Sequence, residues 1–518
     1  MMARRGRECA DDCPHLGNRD RPRLAAPLTE KHLLSKSTFL RGLQCHKSLY
    51  LNRYRRDLRD PIGPELQEVF ATGHEVGELA RGLFPGGVPS KPPKSFQFQR
   101  AVEVTRELIE AGKDIIYEAA FQHERVLALV DILVRDGDKW RAYEVKSSAS
   151  LKEVHIPDAG IQYYIMQGQG IELADLSIVH LNTSYVRQGE LDLEQLFSIV
   201  SVHSEVLELQ PELPDLVAEL KGILAGGMVP EIPIGPHCSV PYDCDFIGYC
   251  WSEVPEYSVF NVARMSKKEA FGLYREGIVR TEDIPNDYPL GDTAAFQVRS
   301  DKNGRTTISE VAIHAFLQTL NYPLYFLDFE TFNPAIPPYD GTRPYGQIPY
   351  QYSLHKKESP RGELEHTGFL AEAGMDPRLP LIELMLSELE APGDIVVYSG
   401  FEAGRIRDLA QQFPEYSEAL EALLERLVDL MQPFKDRAYY APEMRGSYSI
   451  KAVLPALVPD LSYDGLAISD GGMAMRAYYE LANEKNPARI ETIRNDLWEY
   501  CKLDSLAMVR ILEVLESL

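Results

Sequence analysis

Three pairs of polar residues have spacings that could support carboxylate and metal chemistry: Glu144 with Lys146, Asp328 with Glu330, and Tyr500 with Asp504. The first two pairs are spaced by two within apolar, strand-like runs, so both members of each pair face the same side of a sheet. The third pair is spaced by four in a helical pattern and shares one helix face. Burying such groups is unfavourable unless a metal or substrate compensates. The spacings therefore predict two separate metal-dependent sites.

The first predicted site combines residues from two neighbouring strands. Asp131 lies in the apolar run 126–134, and Glu144 and Lys146 close the next run after a turn at 136–138. Two nearby carboxylates favour Mg²⁺ or Mn²⁺, which prefer oxygen ligands. A bound metal activates water, and Lys146 could orient that water or stabilise charge at a phosphate. Gln162, on the following helix, could reach the same place.

This arrangement resembles the PD-(D/E)XK nuclease superfamily in its RecB-like branch. Asp131 matches the motif aspartate, Glu144 and Lys146 match the (D/E)XK element, and Gln162-Tyr163 matches a later Gln-Tyr signature. The resemblance implies a restriction-endonuclease-like fold that cleaves phosphodiester bonds. RecB-like enzymes often carry a GxxxH helix, whereas here Gly73 is followed by Gly77, with His74 and Glu78 nearby.

The second predicted site resembles DEDD exonucleases of the ribonuclease H fold, in the subgroup that carries a tyrosine. Asp328 and Glu330 end an apolar strand, and Tyr500 and Asp504 form a YxxxD helix element. The resemblance implies four carboxylates around two metal ions, with Tyr500 aligning water. Three further segments match it less closely: Glu402 stands where the family has Asp, Asp429 matches a downstream Asp-Leu element, and GSYSIK at 446–451 resembles a Ser-Leu-Lys element.

Four of the seven cysteines form a candidate cofactor site. Cys238, Cys244 and Cys250 are spaced C-x5-C-x5-C, wider than the usual zinc spacings. Cys45 is the natural fourth ligand, and this distribution resembles iron–sulfur nucleases, which implies a structural [4Fe-4S] cluster. Zinc and plain buried thiols remain alternatives. Cys9 and Cys13 are interpreted as incidental, and Cys501 as a core residue.

Length and composition predict several folded domains of mixed α+β class. The 518 residues are 44% hydrophobic and 25% charged, which is typical of folded chains. The patterns divide the chain into a flexible extension (1–30), a PD-(D/E)XK domain (31–252), a helical linker (253–320) and a ribonuclease H-like domain (321–518). Within the linker, 273–285 resembles a helix-hairpin-helix element, although a packing linker is the preferred interpretation.

The charge balance limits how nucleic acid could be bound. Basic residues number 54 against 78 acidic ones, a net charge of −24, which argues against a chain-wide electrostatic grip. A local cluster at Arg53, Arg55, Arg56 and Arg59 is interpreted either as a phosphate-facing patch or as a solvated helix face. No apolar run is long enough to cross a membrane, and the N-terminus lacks a secretory signal, so we expect a cytoplasmic protein.

The combined resemblance is to an uncharacterised family that fuses a RecB-like nuclease to a DEDD exonuclease. It implies a metal-dependent nuclease acting on DNA, on single strands or ends, with a helicase or other repair or defence proteins as partners. The alternatives are an RNA exonuclease, a nucleic-acid-binding scaffold with decayed sites, and a redox-sensing iron–sulfur protein.

Overall fold

The computed structural model describes residues 32–90 and 97–518, and it confirms the predicted mixed α+β class. Two large sheets lie in separate parts of the chain, one within residues 34–201 and the other within 324–429. The predicted extension at 1–30 lies outside the described residues. Across the described ranges, no helix is both long enough and apolar enough to cross a lipid bilayer.

The first sheet has seven strands in the order β2-β3-β4-β5-β6-β7, with β1 beside β4. Strands β3, β4 and β5 are antiparallel neighbours, whereas β5 and β6 run parallel. The strands are β1 (Leu34–Ser35), β2 (Val88–Pro89), β3 (Ile115–His123), β4 (Val126–Asp136), β5 (Lys139–Lys146), β6 (Leu173–Leu181) and β7 (Phe197–Ser201).

Helices cover both faces of this sheet, which is why β4 reads as a nearly continuous apolar run. They are α1 (Lys36–Gln44), α2 (His46–Tyr54), α3 (Pro64–Ala80), α4 (Phe98–Glu110), α5 (His155–Gly168), α6 (Leu193–Leu196), α7 (His203–Leu209), α8 (Leu213–Ala225) and α9 (Ile247–Cys250).

The segment between the sheets is largely helical and has a small core of its own. It contains α10 (Lys267–Arg275), α11 (Asp292–Asn303), β8 (Thr307–Ile308) and α12 (Glu310–Leu317). Leu273 and Ile284, which belong to the segment resembling a helix-hairpin-helix, are fully buried in that core against Val298. The apolar residues of this segment therefore serve packing.

The second sheet has five strands in the order β11-β10-β9-β12-β13. Strand β9 is central, antiparallel to β10 and parallel to β12. The elements are β9 (Leu324–Phe332), β10 (Ile348–Lys357), β11 (Leu364–Leu370), α13 (Arg378–Glu388), β12 (Asp394–Val397), α14 (Phe401–Gln412), α15 (Ser417–Leu424), β13 (Leu427–Asp429), α16 (Gln432–Lys435), β14 (Tyr439–Tyr440), α17 (Ile450–Leu457), α18 (Gly471–Asn483) and α19 (Pro487–Glu516).

The loop between β9 and β10 joins the two sheet regions. Ala335 is buried in the apolar cluster that covers the first sheet. The Arg187 guanidinium donates hydrogen bonds to the carbonyl oxygens of Pro337 (3.0 Å) and Pro338 (2.9 Å). The Tyr345 hydroxyl donates to the carbonyl oxygen of Ser147, directly after β5. This loop therefore packs against the end of the strand that carries Glu144 and Lys146.

Candidate active sites

The first site lies at the end of β5, where the structure brings together all four residues predicted for it. Asp131 is on the neighbouring strand β4, and its Oδ2 accepts a hydrogen bond from the Val145 amide at 2.7 Å. Gln162 is on α5, and its Nε2 donates to Glu144 Oε2 at 2.9 Å. Glu144 is 3% exposed. Its carboxylate is therefore fixed at the centre of the group.

Two residues of this site were missed by sequence reasoning: Lys36, the first residue of α1, and Asp158 on α5. Lys36 Nζ lies 2.5 Å from Glu144 Oε1 and 3.3 Å from Asp158 Oδ1. Lys146 Nζ lies 2.7 Å from the same Glu144 oxygen and 2.5 Å from Asp158 Oδ2. Lys36 follows β1, which pairs with β4, and this pairing places α1 over the site. Only Asp158 left a local signal, its spacing of four from Gln162 on one helix face.

Ion pairing largely neutralises the first site. Burial opposes ionisation of Glu144, but Lys146 and Lys36 outweigh it and hold the pKa of Glu144 below its usual range. Burial and the nearby Glu144 raise the pKa of Asp131 to about 7. The carboxylates Asp131 and Glu144 suit a hard cation, yet both oxygens of Glu144 already have partners. A metal ion would have to compete with Lys36 for Glu144 Oε1.

The second site is formed where β9 faces α19. Alternation along β9 directs Leu324 and Phe326 into a core with α19, and Asp328 and Glu330 continue that row. Ligand oxygens of Asp328, Glu330 and Asp504 all lie within 4.8 Å of one another. Metal-binding side chains are those of His, Cys, Asp and Glu. Among the described residues, these three form the group of such side chains that lies close enough together to hold one metal ion.

Glu402 adds a fourth carboxylate beside this triad. It lies in the first turn of α14, is 2% exposed, and its Oε2 has no hydrogen-bond partner within the described ranges. Burial, together with Asp429 and Asp504, raises the pKa of Glu402 to about 8. An orphaned, buried carboxylate oxygen in such a group fits a cation ligand.

The structure does not bring Asp429 into the triad. Its Oδ1 accepts hydrogen bonds from the amides of Ser399 (2.8 Å) and Met431 (2.9 Å), and its Oδ2 pairs with Lys435 at 3.2 Å. Ser399 has a left-handed backbone (φ 86°) at the turn from β12 into α14. Asp429 thus fixes the turn that places Glu402.

Tyr463 and Lys451 complete the second site. The Tyr463 hydroxyl donates to Asp504 Oδ1 at 2.5 Å, although no motif in the sequence marked this tyrosine. Lys451, within the GSYSIK element, has its Nζ 5.5 Å above the ring of Tyr500 and 5.2 Å above that of Tyr463. Its ammonium also donates to the Ser469 carbonyl oxygen at 2.8 Å. Lys451 is therefore held at the two tyrosines rather than paired with a carboxylate of the triad.

Burial and mutual repulsion dominate the electrostatics of the second site. Burial, followed by the charge of Asp504, raises the pKa values of Asp328 and Glu330 well above their usual range. Burial raises the pKa of Asp504 to about 6, and the Tyr463 hydrogen bond, the charge of Lys451 and the Tyr500 hydrogen bond limit that rise. The group therefore needs protons or cations to remain buried.

The four predicted cofactor cysteines line one cavity. Cys45 contributes from the start of α2, and Cys238, Cys244 and Cys250 from the loop that leads into α9. Burial raises the pKa values of the Cys45 and Cys250 thiols, so their deprotonation would require a cation in the cavity. Cys501 is buried on α19, and its Sγ lies 3.7 Å from Asp328 Oδ2.

The cysteine spacing bears on which metal group would fit. Tetrahedral zinc with Zn–S bonds of about 2.3 Å would place its sulfurs about 3.8 Å apart. Among the described residues, these cysteines do not form a group with all sulfurs within 4.8 Å of one another. The described positions of these cysteines are therefore wider apart than the ligands of one tetrahedral zinc ion.

Comparisons with known proteins reach part of the C-terminal region. A domain of unknown function, DUF2779, matches residues 325–449. That range includes Asp328, Glu330, Glu402 and Asp429. A similar protein is "Uncharacterized protein UU173" of Ureaplasma parvum serovar 3, 25% identical over 236 residues. The match covers 40% of this chain and 33% of the relative's length.

The Lys36→Met substitution tests the competition at the first site. It should increase the Mn²⁺ affinity of this site about tenfold or more, equivalent to about 1.4 kcal/mol, because Glu144 Oε1 loses one competing cation. Mn²⁺ binding would be measured by electron paramagnetic resonance in an Asp328→Asn/Asp504→Asn background, which weakens the second site. Lys152→Met, which changes an exposed lysine on the loop before α5, is the matched control. Unchanged affinity in a folded Lys36→Met protein would contradict the prediction.

The Glu402→Gln substitution tests the electrostatics of the second site. Folding raises the pKa of the Glu402 carboxyl from about 4.3 in the unfolded chain to about 8. The free energy of unfolding of the protein therefore falls as pH rises through this interval. In metal-free buffer, the free energy of unfolding of Glu402→Gln minus that of wild type should therefore increase between about pH 5 and about pH 9. Urea unfolding measures it, with the exposed Glu415→Gln as control. A pH-independent difference would contradict this explanation.

Proposed function

We propose that this chain is a metal-dependent nuclease that hydrolyses phosphodiester bonds, with the second site as its principal reaction centre. The observation that carries the proposal is the convergence of the buried Glu330, Glu402 and Asp504 with the half-buried Asp328, all four with elevated pKa values. Such carboxylate density is typical of sites that clamp two divalent cations. Mg²⁺ and Mn²⁺ are the cations that this oxygen donor set favours.

Bound divalent cations would supply Lewis-acid stabilisation of a phosphodiester during hydrolysis. The four carboxylates would hold those cations, and the turn fixed by Asp429 would keep Glu402 in place. Burial and the surrounding carboxylates raise the pKa of Tyr500, so its side chain remains a neutral hydroxyl. Tyr500 is therefore suited to orient water or substrate by hydrogen bonding, and not to remove a proton as a base.

The first site supports a secondary role. Its carboxylates Glu144 and Asp158 are already paired with Lys36 and Lys146. Cleavage there would require Lys36 to give way to a metal ion. At the second site, Lys451 lies over the rings of Tyr463 and Tyr500, and no lysine or arginine in the described part of the chain forms an ion pair with the triad. We propose DNA as the substrate because the N-terminal region resembles nucleases that process DNA; RNA is the alternative.

We further propose that Cys45, Cys238, Cys244 and Cys250 hold a [4Fe-4S] cluster with a structural role. Their shared cavity supports this assignment, with Cys238 buried and the other three thiols half-buried around it. Contacts around the cavity already join distant parts of the chain: Arg41 pairs with Asp245 at 2.6 Å, and Gln44 donates to the His237 carbonyl oxygen at 2.8 Å. A cluster would reinforce this junction between the early helices and the loop 237–250.

The Asp328→Asn substitution tests the reaction centre. With Mn²⁺ and end-labelled single-stranded DNA, it should lower the cleavage rate about 100-fold or more, because losing a metal ligand removes several kcal/mol of transition-state stabilisation. The same assay on RNA tests the choice of polymer. Lys146→Ala should retain most of the activity if the second site dominates.

Exposed Asp460→Asn serves as the control for the Asp328 variant. Removing one of several repelling carboxylates should leave the metal-free stability of Asp328→Asn equal or higher, so lost cleavage cannot be ascribed to unfolding. Wild-type cleavage rates in Asp328→Asn would assign the chemistry elsewhere. A complete absence of cleavage by the intact protein on both polymers would favour a binding scaffold.

The Cys250→Ser substitution tests the cluster. Anaerobically purified wild type should contain about four iron atoms and acid-labile sulfide per chain and absorb broadly in the visible range. Cys250→Ser should lose most of this iron, whereas Cys9→Ser/Cys13→Ser should keep it. Zinc in place of iron, or an unchanged iron content in Cys250→Ser, would refute the assignment.

A further inference from the structure

A basic surface cavity of about 690 Å³ lies on α11 and the turn that follows it. Arg299, Lys302 and Arg305 line it, with further polar groups from Ser300 and Asn303. No aspartate or glutamate is among the described residues that line it. In a chain with a net charge of −24, this linker cavity is a local concentration of positive charge.

Three of the four arginines in the cluster singled out in the sequence are engaged in contacts within the chain. Arg55 pairs with Asp57 at 2.8 Å, Arg59 pairs with Asp245 at 2.6 Å, and the Arg56 guanidinium donates to the Asn52 carbonyl oxygen at 2.9 Å. These cations serve contacts within the chain. The interpretation of this cluster as a phosphate-facing patch stays a prediction, which now depends on Arg53 and Arg56 at a separate surface cavity.

The cations of the linker cavity are disposed differently. Lys302 is held in place, because its ammonium donates to the Ile284 carbonyl oxygen and to Asn286 Oδ1 (2.7 Å). Arg299 and Arg305 are exposed, and neither pairs with a carboxylate in the described part of the chain. A guanidinium presents a planar fork of donors that matches two phosphate oxygens. The cavity thus has the donor chemistry of a phosphate site.

The cavity is attached to the region that carries the second site. On α11, Phe296 packs against Tyr440, with ring centroids 5.2 Å apart. Gln297 lies very close to Gly446: a Cβ atom added to Gly446 would be 2.4 Å from the Oε1 atom of Gln297. Gly446 opens the segment that leads to Lys451, above the ring of Tyr500. Consecutive packed elements therefore connect the cavity to the reaction centre.

We propose that the linker cavity binds the phosphate backbone of a nucleic-acid strand, as an anchor separate from both candidate active sites. This proposal rests on the proposed function in one respect, that nucleic acid is the ligand. Arg299 and Arg305 contact phosphates, and Lys302 adds a fixed positive charge. Such contacts give affinity without sequence preference.

The test compares Arg299→Glu/Arg305→Glu with wild type in a metal-free buffer containing EDTA. Binding of a fluorescein-labelled oligothymidylate is measured by anisotropy over a series of KCl concentrations. The variant should bind about tenfold or more weakly, and the slope of log K against log salt should decrease by about 1.4, because each lost single-strand phosphate contact removes about 0.7.

Arg280→Glu/Arg361→Glu is the matched control, since it makes the same charge change at two exposed positions outside the cavity. It should keep most of the affinity and the wild-type slope. Equal affinity and slope in the cavity variant and the control would overturn the proposal. Two further results would overturn it. One is that wild type binds polyglutamate as tightly as the oligonucleotide, and the other is that inorganic phosphate displaces the oligonucleotide when both are present at equal concentration. Arg299→Gln/Arg305→Gln provides a milder variant if charge reversal perturbs folding.

Cleavage assays with Mn²⁺ separate this proposal from the nuclease activity. Cavity-dependent binding by a protein that does not cleave would refute the nuclease and support the anchor. Cleavage by wild type, with binding unaffected by the cavity variant, would refute only the anchor.

Discussion

The repulsion among buried carboxylates where β9 faces α19 constrains much of the C-terminal region. Asp328, Glu330 and Asp504 lie within 4.8 Å of one another, and Glu402 is buried beside them with an unpartnered oxygen. Such a group is unfavourable unless protons or cations neutralise it. The surrounding structure nevertheless holds it together through the central strand β9, the long helix α19, and the turn that Asp429 stabilises. This rigidity against an electrostatic cost is typical of sites arranged for a ligand.

The two candidate active sites differ in how the negative charge of their carboxylates is neutralised. The first contains its own cations, because Lys36 and Lys146 both contact Glu144 and Asp158. The second holds Lys451 against the rings of Tyr463 and Tyr500, where its charge limits the rise in the pKa values of Glu330 and Asp504 without an ion pair to either carboxylate among the described residues. Demand for external cations is therefore greater at the second site. This difference is the physical basis for assigning it the principal chemistry.

Contacts distant from both sites determine how their elements meet. The β9–β10 loop packs on the first sheet and reaches Ser147, one residue beyond Lys146. Around the cysteine cavity, Asp245 accepts ion pairs from Arg41 and Arg59. Aromatic residues at the end of β9 and in the β9–β10 loop serve packing. Phe332, the last residue of β9, is buried against Tyr478, and Tyr345 lies in the junction between the two sheets. The arginines near residue 55 are likewise used within the chain.

The sequence by itself determined the features that depend on local backbone geometry. Strand alternation paired Asp328 with Glu330 and Glu144 with Lys146, and helical spacing paired Tyr500 with Asp504, because these periodicities are properties of the strand and the helix. The apolar run at 126–134 is confirmed as a strand with slightly longer bounds. Tertiary structure alone decided the rest. Lys36 reaches Glu144 across 108 residues, Tyr463 caps Asp504 across 41, and Asp429 supports Glu402 instead of joining the triad. Such contacts depend on strand order and helix packing, which bring distant segments together without leaving a periodic signal in the chain.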